Sequence, residues 1–204
     1  MLSCSCTFYQ DFLKQHLHYH GDWRDLQRLV VTSEHALLPV TGGIGAYVQE
    51  LAYLYSPRHT LVLFVGDAGA EPVTEVCQPE EFYPPGSLAD FPRPDRAWAG
   101  VQQLLFYFPT LTAIEYQDYL GIGARIAQAK RAGLLGQRLH TEVLCHGNGA
   151  YLEHATQQWL DEPNWELRLL ERVSIELADV IRFPTRFLHE FYLDRGFQFS
   201  IRSA

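Results

Sequence analysis

The stretch from Arg28 to Tyr55, RLVVTSEHALLPVTGGIGAYVQELAYLY, restricts the fold more than any other part of the chain. It reads as an apolar strand, a loop that closes on glycines, and an amphipathic helix with Ile44, Val48, Leu51 and Leu54 at helical spacing. A strand that feeds a glycine turn and then a helix belongs to α/β proteins, in which backbone N–H groups at the positive end of the helix dipole can face an anion. Gly42, Gly43 and Ile44 are therefore candidate phosphate-binding positions. The plainer alternative is that these glycines only make a tight turn.

The pattern recurs downstream. His59 to Val65 (HTLVLFV) and Val101 to Phe108 (VQQLLFYF) read as buried strands, because each is a short, continuous apolar run. Thr141 to Cys145 and Val180 to Phe183 read as two more strands. Helices are expected over Gly121–Gly133, from about Tyr151 to Trp159, from Glu162 through Leu177, and over Arg186–Asp194 ahead of Gly196. Ala68 to Gly100 carries Pro72, Pro79, Pro84, Pro85, Pro92 and Pro94, a density that argues against a long helix and leaves room for an edge strand over Pro72–Cys77. Strands alternating with helices imply a mostly parallel sheet in a Rossmann-like three-layer α/β/α sandwich, with ligands at the carboxyl ends of the strands. The sheet is expected to contain Leu29–Thr32, Leu61–Val65, Leu104–Tyr107, Val143–Cys145 and Val180–Phe183. Residues 26–204 form one domain in this reading, and residues 1–25 an N-terminal extension that covers a sheet edge.

Charge and composition narrow the partners. A net charge of −8 without a basic stripe argues against nucleic acid. No apolar run reaches the roughly 18 residues of a membrane helix, and Met1–His20 is too polar for a signal peptide, so a cytoplasmic protein is expected. Cys4, Cys6, Cys77 and Cys145 do not make a disulfide framework and are expected as thiols. Cys4 and Cys6 with His16, His18 and His20 lack the spacing of a structural zinc site, so no metal is expected.

Four segments taken together resemble a known family: VTGGIGAYVQELA (Val40–Ala52), EYQDYLGIGARIAQAKRAGL (Glu115–Leu134), LCHGNGAYL (Leu144–Leu152) and ERVSIELADVIRFPTRFLHEFYLDRGF (Glu171–Phe197). They are similar to the N-terminal half of retaining GT-B glycosyltransferases of the glycogen-synthase and sucrose-synthase type. The resemblance implies a cleft between two Rossmann-like domains. The N-terminal half carries the acceptor, and the C-terminal half holds the nucleotide and most of the donor sugar. It also implies a nucleotide-sugar donor, a saccharide or other hydroxyl acceptor, no further cofactor, and transfer with retention. His146 matches the histidine at the reacting sugar, with a histidine that caps the next helix as the alternative. Gly42, Gly43 and Ile44 would face the donor diphosphate. Glu115, Asp118, Tyr119, Asn148 and Arg186 would line the cleft or meet the acceptor, although Asp118 could instead cap the following helix and Arg186 could be solvated. The sequence stops at Ala204, before the second domain of such an enzyme would begin, so the chain by itself is expected to be inactive and to need that domain in cis or in trans.

Two other functions compete. Thr41–Gly45 (TGGIG) looks like a dinucleotide loop, but neither Lys14 nor Lys130 has a tyrosine four residues before it. The connection from Val31 to Gly42 is also too long for the compact fingerprint of a nicotinamide-dependent oxidoreductase. A non-catalytic module that keeps the fold and binds a saccharide or a protein is the other alternative.

Overall fold

The computed structural model describes residues 23–34, 42–54, 60–66, 77–84, 86–157 and 165–199. Five strands make one sheet: β1 (Arg28–Thr32), β2 (Thr60–Phe64), β3 (Ala113–Gln117), β4 (His140–Leu144) and β5 (Val180–Arg182). Their order is β2-β1-β3-β4-β5, and every pairing is parallel. Among the described residues six α-helices accompany them: α1 (Gly43–Leu54), α2 (Arg93–Tyr107), α3 (Ala124–Arg131), α4 (Gly149–Thr156), α5 (Trp165–Glu176) and α6 (Arg186–Asp194). This is the expected Rossmann-like α/β fold. Among the described residues, no helix is long and apolar enough to cross a membrane.

Alternation along the strands builds two unequal layers. Leu29, Val31, Leu61, Leu63, Ile114, Tyr116 and Val143 point to one side and form the large core with Ala97, Val101 and Leu104 of α2, Ile126 of α3, Ile175 of α5 and Phe191 of α6. On the other side Val30, Val62 and Phe64 meet Ile44, Val48 and Leu51 of α1. Burying side chains of this size is worth roughly 1.5–3 kcal/mol each, so α1 is held by its apolar stripe rather than by its glycine-rich start. The rest of that second side, over β3 to β5, carries polar groups, and they become the site.

One strand assignment is corrected. Val101–Phe108 is not a strand; Val101 to Tyr107 is the second half of α2, and the central strand is Ala113–Gln117 instead. A continuous apolar run of eight residues fits a buried strand or a buried helix equally well. The discriminating signs lie outside it. Pro92 precedes the helix and Pro94 lies in its first turn, where a proline costs nothing. Pro94, Ala97, Gly100, Val101 and Leu104 are buried at helical spacing, and Phe106 points to solvent. Pro92 and Pro94 thus start a long helix rather than exclude one.

The remaining assignments come out close. The helix expected at Gly121–Gly133 runs over Ala124–Arg131, with Ile122, Ile126 and Ala129 buried, and the last helix occupies Arg186–Asp194 as expected. On α5 the fully buried positions are Glu171, Ser174 and Ile175, whereas Leu167, Leu170, Val173 and Leu177 are only partly buried. Residues 1–22 of the expected extension, the edge strand as far as residue 76, and the opening of the helix at Glu162–Asn164 fall outside the described residues. Cys77 itself forms a parallel bridge to Leu63 at the β2 edge. Cys77 and Cys145 are free thiols, buried, and burial pushes both pKa values up.

Candidate functional site

Because all strands run in one direction, the loops that follow β1, β3 and β4 leave the same edge of the sheet. The chain passes from β1 out to β2 and then returns to β3 on the far side of β1, so the change of direction falls between β1 and β3. The carboxyl ends flanking such a change are where open α/β sheets form a crevice. Gly43, at the start of α1, and His146, after β4, both lie at this edge.

Tyr47, one turn into α1, ties the two loops together. Its ring stands edge-on to that of His146, with centroids 5.1 Å apart. Its hydroxyl donates to Glu115 Oε1 at 2.8 Å. Glu115, buried on β3, also accepts from Arg28 Nη1 at 2.7 Å. The same Nη1 lies 3.0 Å from Glu142 Oε2, which pairs with Arg182 Nη2 at 2.8 Å. A chain of charge thus runs across β5, β4, β1 and β3 and ends on the tyrosine that touches His146. Burial pushes the Glu115 pKa up, while the Tyr47 hydroxyl and the Arg28 guanidinium pull against that rise.

The loop that presents His146 is held from below. Asp118, fully buried just past β3, accepts the N–H of His146 at 2.9 Å and that of Gly147 at 3.1 Å, and Tyr192 of α6 donates its hydroxyl to the same carboxylate at 2.5 Å. The Tyr192 oxygen in turn accepts the N–H of Asn148 at 2.9 Å. Burial raises the Asp118 pKa against these donors. All three donate, so the arrangement holds the ionised carboxylate. Gly147 adopts φ +115°, and a side chain there would run into the Tyr151 ring. Asp118 therefore does not cap a helix: the N-cap of α3 is Gly123. His146 does not cap one either, because Asn148 caps α4 by accepting the N–H of Tyr151 at 3.1 Å.

Two of the helix starts at this edge, those of α1 and α4, carry the protein's own carboxylates. Glu34, just past β1, accepts the N–H of Gly42 at 3.1 Å and of Gly45 at 3.4 Å. Glu171, fully buried on α5, accepts the N–H of Gly149 at 3.2 Å and that of Leu120 at 3.3 Å and is paired with Arg168 Nη1 at 3.0 Å. Two of the N–H groups in the glycine loop are thus already turned onto an internal anion. Those of Gly43 and Ile44 are among the first N–H groups of α1, which a helix does not bond within itself.

The remaining candidates separate. Tyr119 is half-buried and packs against the α1 cluster. Asn148 is 1% exposed and serves as a cap. The Arg186 side chain is 89% exposed and pairs with Glu190 one turn along α6. Among the described residues no cluster of three or more His, Cys, Asp or Glu is placed to share a metal ion.

Hydrogen-bond capacity is left over at the edge. The Ser33 hydroxyl, both polar atoms of the Gln117 side chain and His146 Nε2 are buried without a partner. Burial also lowers the His146 pKa, so the ring is neutral at pH 7. Sequence reading passed over Gln117, Tyr47, Glu34, Glu171 and Tyr192. Gln117 carried a usable signal, since it is the polar residue at the last position of an alternating strand ahead of Asp118. The others act through contacts at long range in sequence. Compared with known proteins, the chain matches no family model and no curated protein closely enough to assign a family.

Proposed function

We propose that this chain is the acceptor-side half of a retaining sugar transferase, with its carboxyl-edge crevice holding saccharide hydroxyls and His146 facing the reacting sugar. The observation that carries the reading is the convergence on Tyr47. The glycine-loop helix, the EYQDY strand and the CHGN turn are three of the four segments of the family resemblance, and Tyr47 brings them together. A neutral imidazole in a rigid loop suits this role, because it can hydrogen-bond a sugar oxygen without adding charge. Breaking the bond to a nucleotide diphosphate also needs positive charge on the leaving phosphate. Among the described crevice residues the positive groups of Arg28 and Arg182 are paired with Glu115 and Glu142, so we assign that charge to a partner domain.

A second reading, a saccharide-binding module without catalysis, draws support from Glu34 and Glu171, which place carboxylates at the two helix starts where a phosphate would dock. One experiment separates the two. The chain, expressed with any coding sequence that continues past residue 204, is incubated with UDP-, ADP- and GDP-hexoses with and without oligosaccharide acceptors. The transferase reading expects release of nucleoside diphosphate that depends on His146. Saccharide binding with no release from any donor would leave the binding module.

A further inference from the structure

Thr60 Oγ1, at the start of β2, is a buried atom without a partner that lies elsewhere, whereas those of Ser33, Gln117 and His146 gather at the carboxyl ends of the strands. Ser33 follows β1, Gln117 ends β3 and His146 follows β4, so three neighbouring strands place unspent polar groups at one edge. Gln117 is the most pronounced of them: it is 0% exposed, and neither its Oε1 nor its Nε2 has a partner. Its place in the sheet is fixed by register. Gln117 lies opposite Leu144, two residues before His146, and it shares a face with Glu115, which holds the Tyr47 hydroxyl. The carboxamide thus faces the same side of the sheet as the Tyr47–His146 contact.

The chemistry of the unspent groups selects a ligand. A carboxamide offers two N–H donors and a carbonyl acceptor, and a neutral imidazole nitrogen offers one site. A phosphate or carboxylate could take the donors but would leave Oε1 facing another acceptor. A hydroxyl gives and accepts at once, so vicinal hydroxyls satisfy the set. The neighbouring carboxylates Glu34, Glu115 and Asp118 disfavour an anion further.

We infer that Gln117 is a ligand-binding residue, its carboxamide and His146 Nε2 together reading adjacent hydroxyls of a neutral sugar. The inference rests on the reading of the crevice as a saccharide site and adds to it the side chain that does the selecting. It has a consequence that needs no ligand. A buried amide kept without a partner costs stability in the free protein, so replacing it by an apolar side chain of similar size should leave the fold as stable or more so.

The test uses the full chain and two variants, Gln117→Met and Gln117→Leu. Thermal melting is measured for each, and calorimetric titration is run with glucose, galactose, mannose and maltose. The expected result is a Tm equal to wild type or higher by a few degrees, with at least about a tenfold loss of affinity for whichever sugar the wild type binds. A fall of several degrees in both variants would overturn the inference, since the amide would then be satisfied within the fold. Full sugar affinity in the stable variants would also overturn it, while leaving the crevice a saccharide site. No binding of any of the four sugars by the wild type would overturn both the inference and the saccharide reading beneath it.

Discussion

Replacing Asp118 by asparagine should loosen the His146 loop by an amount that can be worked out from its three donors. Oδ1 accepts from His146 N–H, and Oδ2 accepts from Gly147 N–H and the Tyr192 hydroxyl. Asparagine keeps one acceptor oxygen. If that oxygen takes the Oδ2 position, the amide nitrogen opposes His146 N–H, and a bond to a charged group worth about 1.5–3 kcal/mol is lost outright. The two bonds that remain become neutral and lose about half their strength, for a gross cost of roughly 3–6 kcal/mol. Against this, the neutral side chain is relieved of the burial that raises the Asp118 pKa. A net loss of about 2–4 kcal/mol is therefore expected. With a urea dependence of about 2 kcal/mol per molar, the unfolding midpoint should fall by about 1–2 M. Tyr192→Phe should lower it as well, and the double variant should lose less than the sum of the two because they share a bond. An Asp118→Asn midpoint within a few tenths of a molar of wild type, or strict additivity with Tyr192→Phe, would show that the buried carboxylate does not hold the loop.

Three further expectations concern the same edge. If the chain acts with a second domain as proposed, His146→Ala in the joined protein should lower kcat by on the order of a hundredfold with the denaturant midpoint almost unchanged, and normal kcat with a large midpoint shift would return His146 to a packing role. Glu34→Ala should cost about 0.5–2 kcal/mol by leaving the start of α1 without its acceptor, and should raise the affinity for inorganic phosphate because Gly42 and Gly45 N–H become available; phosphate affinity unchanged would mean that the loop is not an anion site. Since burial depresses the His146 pKa below its ordinary 6.5, the unfolded chain binds more protons between the two values. The corresponding stability is present above pH 6.5 and lost as pH falls through the folded pKa, so wild type should lose more stability than His146→Gln between pH 7.5 and 5.5. Equal losses would place the ring in solvent.

Much of the architecture could be read in the sequence because burial leaves a pattern there. Leu61 to Val65 is apolar throughout because β2 is covered on both faces, and Arg186–Asp194 shows its helical stripe plainly. The central strand was missed for a physical reason. AIEYQ places Ile114 and Tyr116 in the core but turns Glu115 and Gln117 toward the site, so the strand nearest the chemistry lacks the continuous apolar run of a strand buried on both faces. The apolar run just before it then stood in for a strand. His146 and Asp118 could be picked out locally, but the reason Asp118 matters could not, because its partners lie 28, 29 and 74 residues away along the chain. Glu171 hides in the same manner: on an amphipathic helix a glutamate is expected in water, and only the fold shows that it sits among backbone N–H groups.

The bond from Tyr192 to Asp118 has a consequence for how the protein is made. Asp118 and the CHGN turn are synthesised long before the helix that carries Tyr192. As the chain emerges from the ribosome, β1 to β4 can assemble while the Asp118 carboxylate still lacks one of its three donors and Asn148 N–H lacks its acceptor. The His146 loop then settles only when α6 has docked, so a nascent chain stalled before residue 192 would hold nearly the whole sheet together with an unfinished crevice.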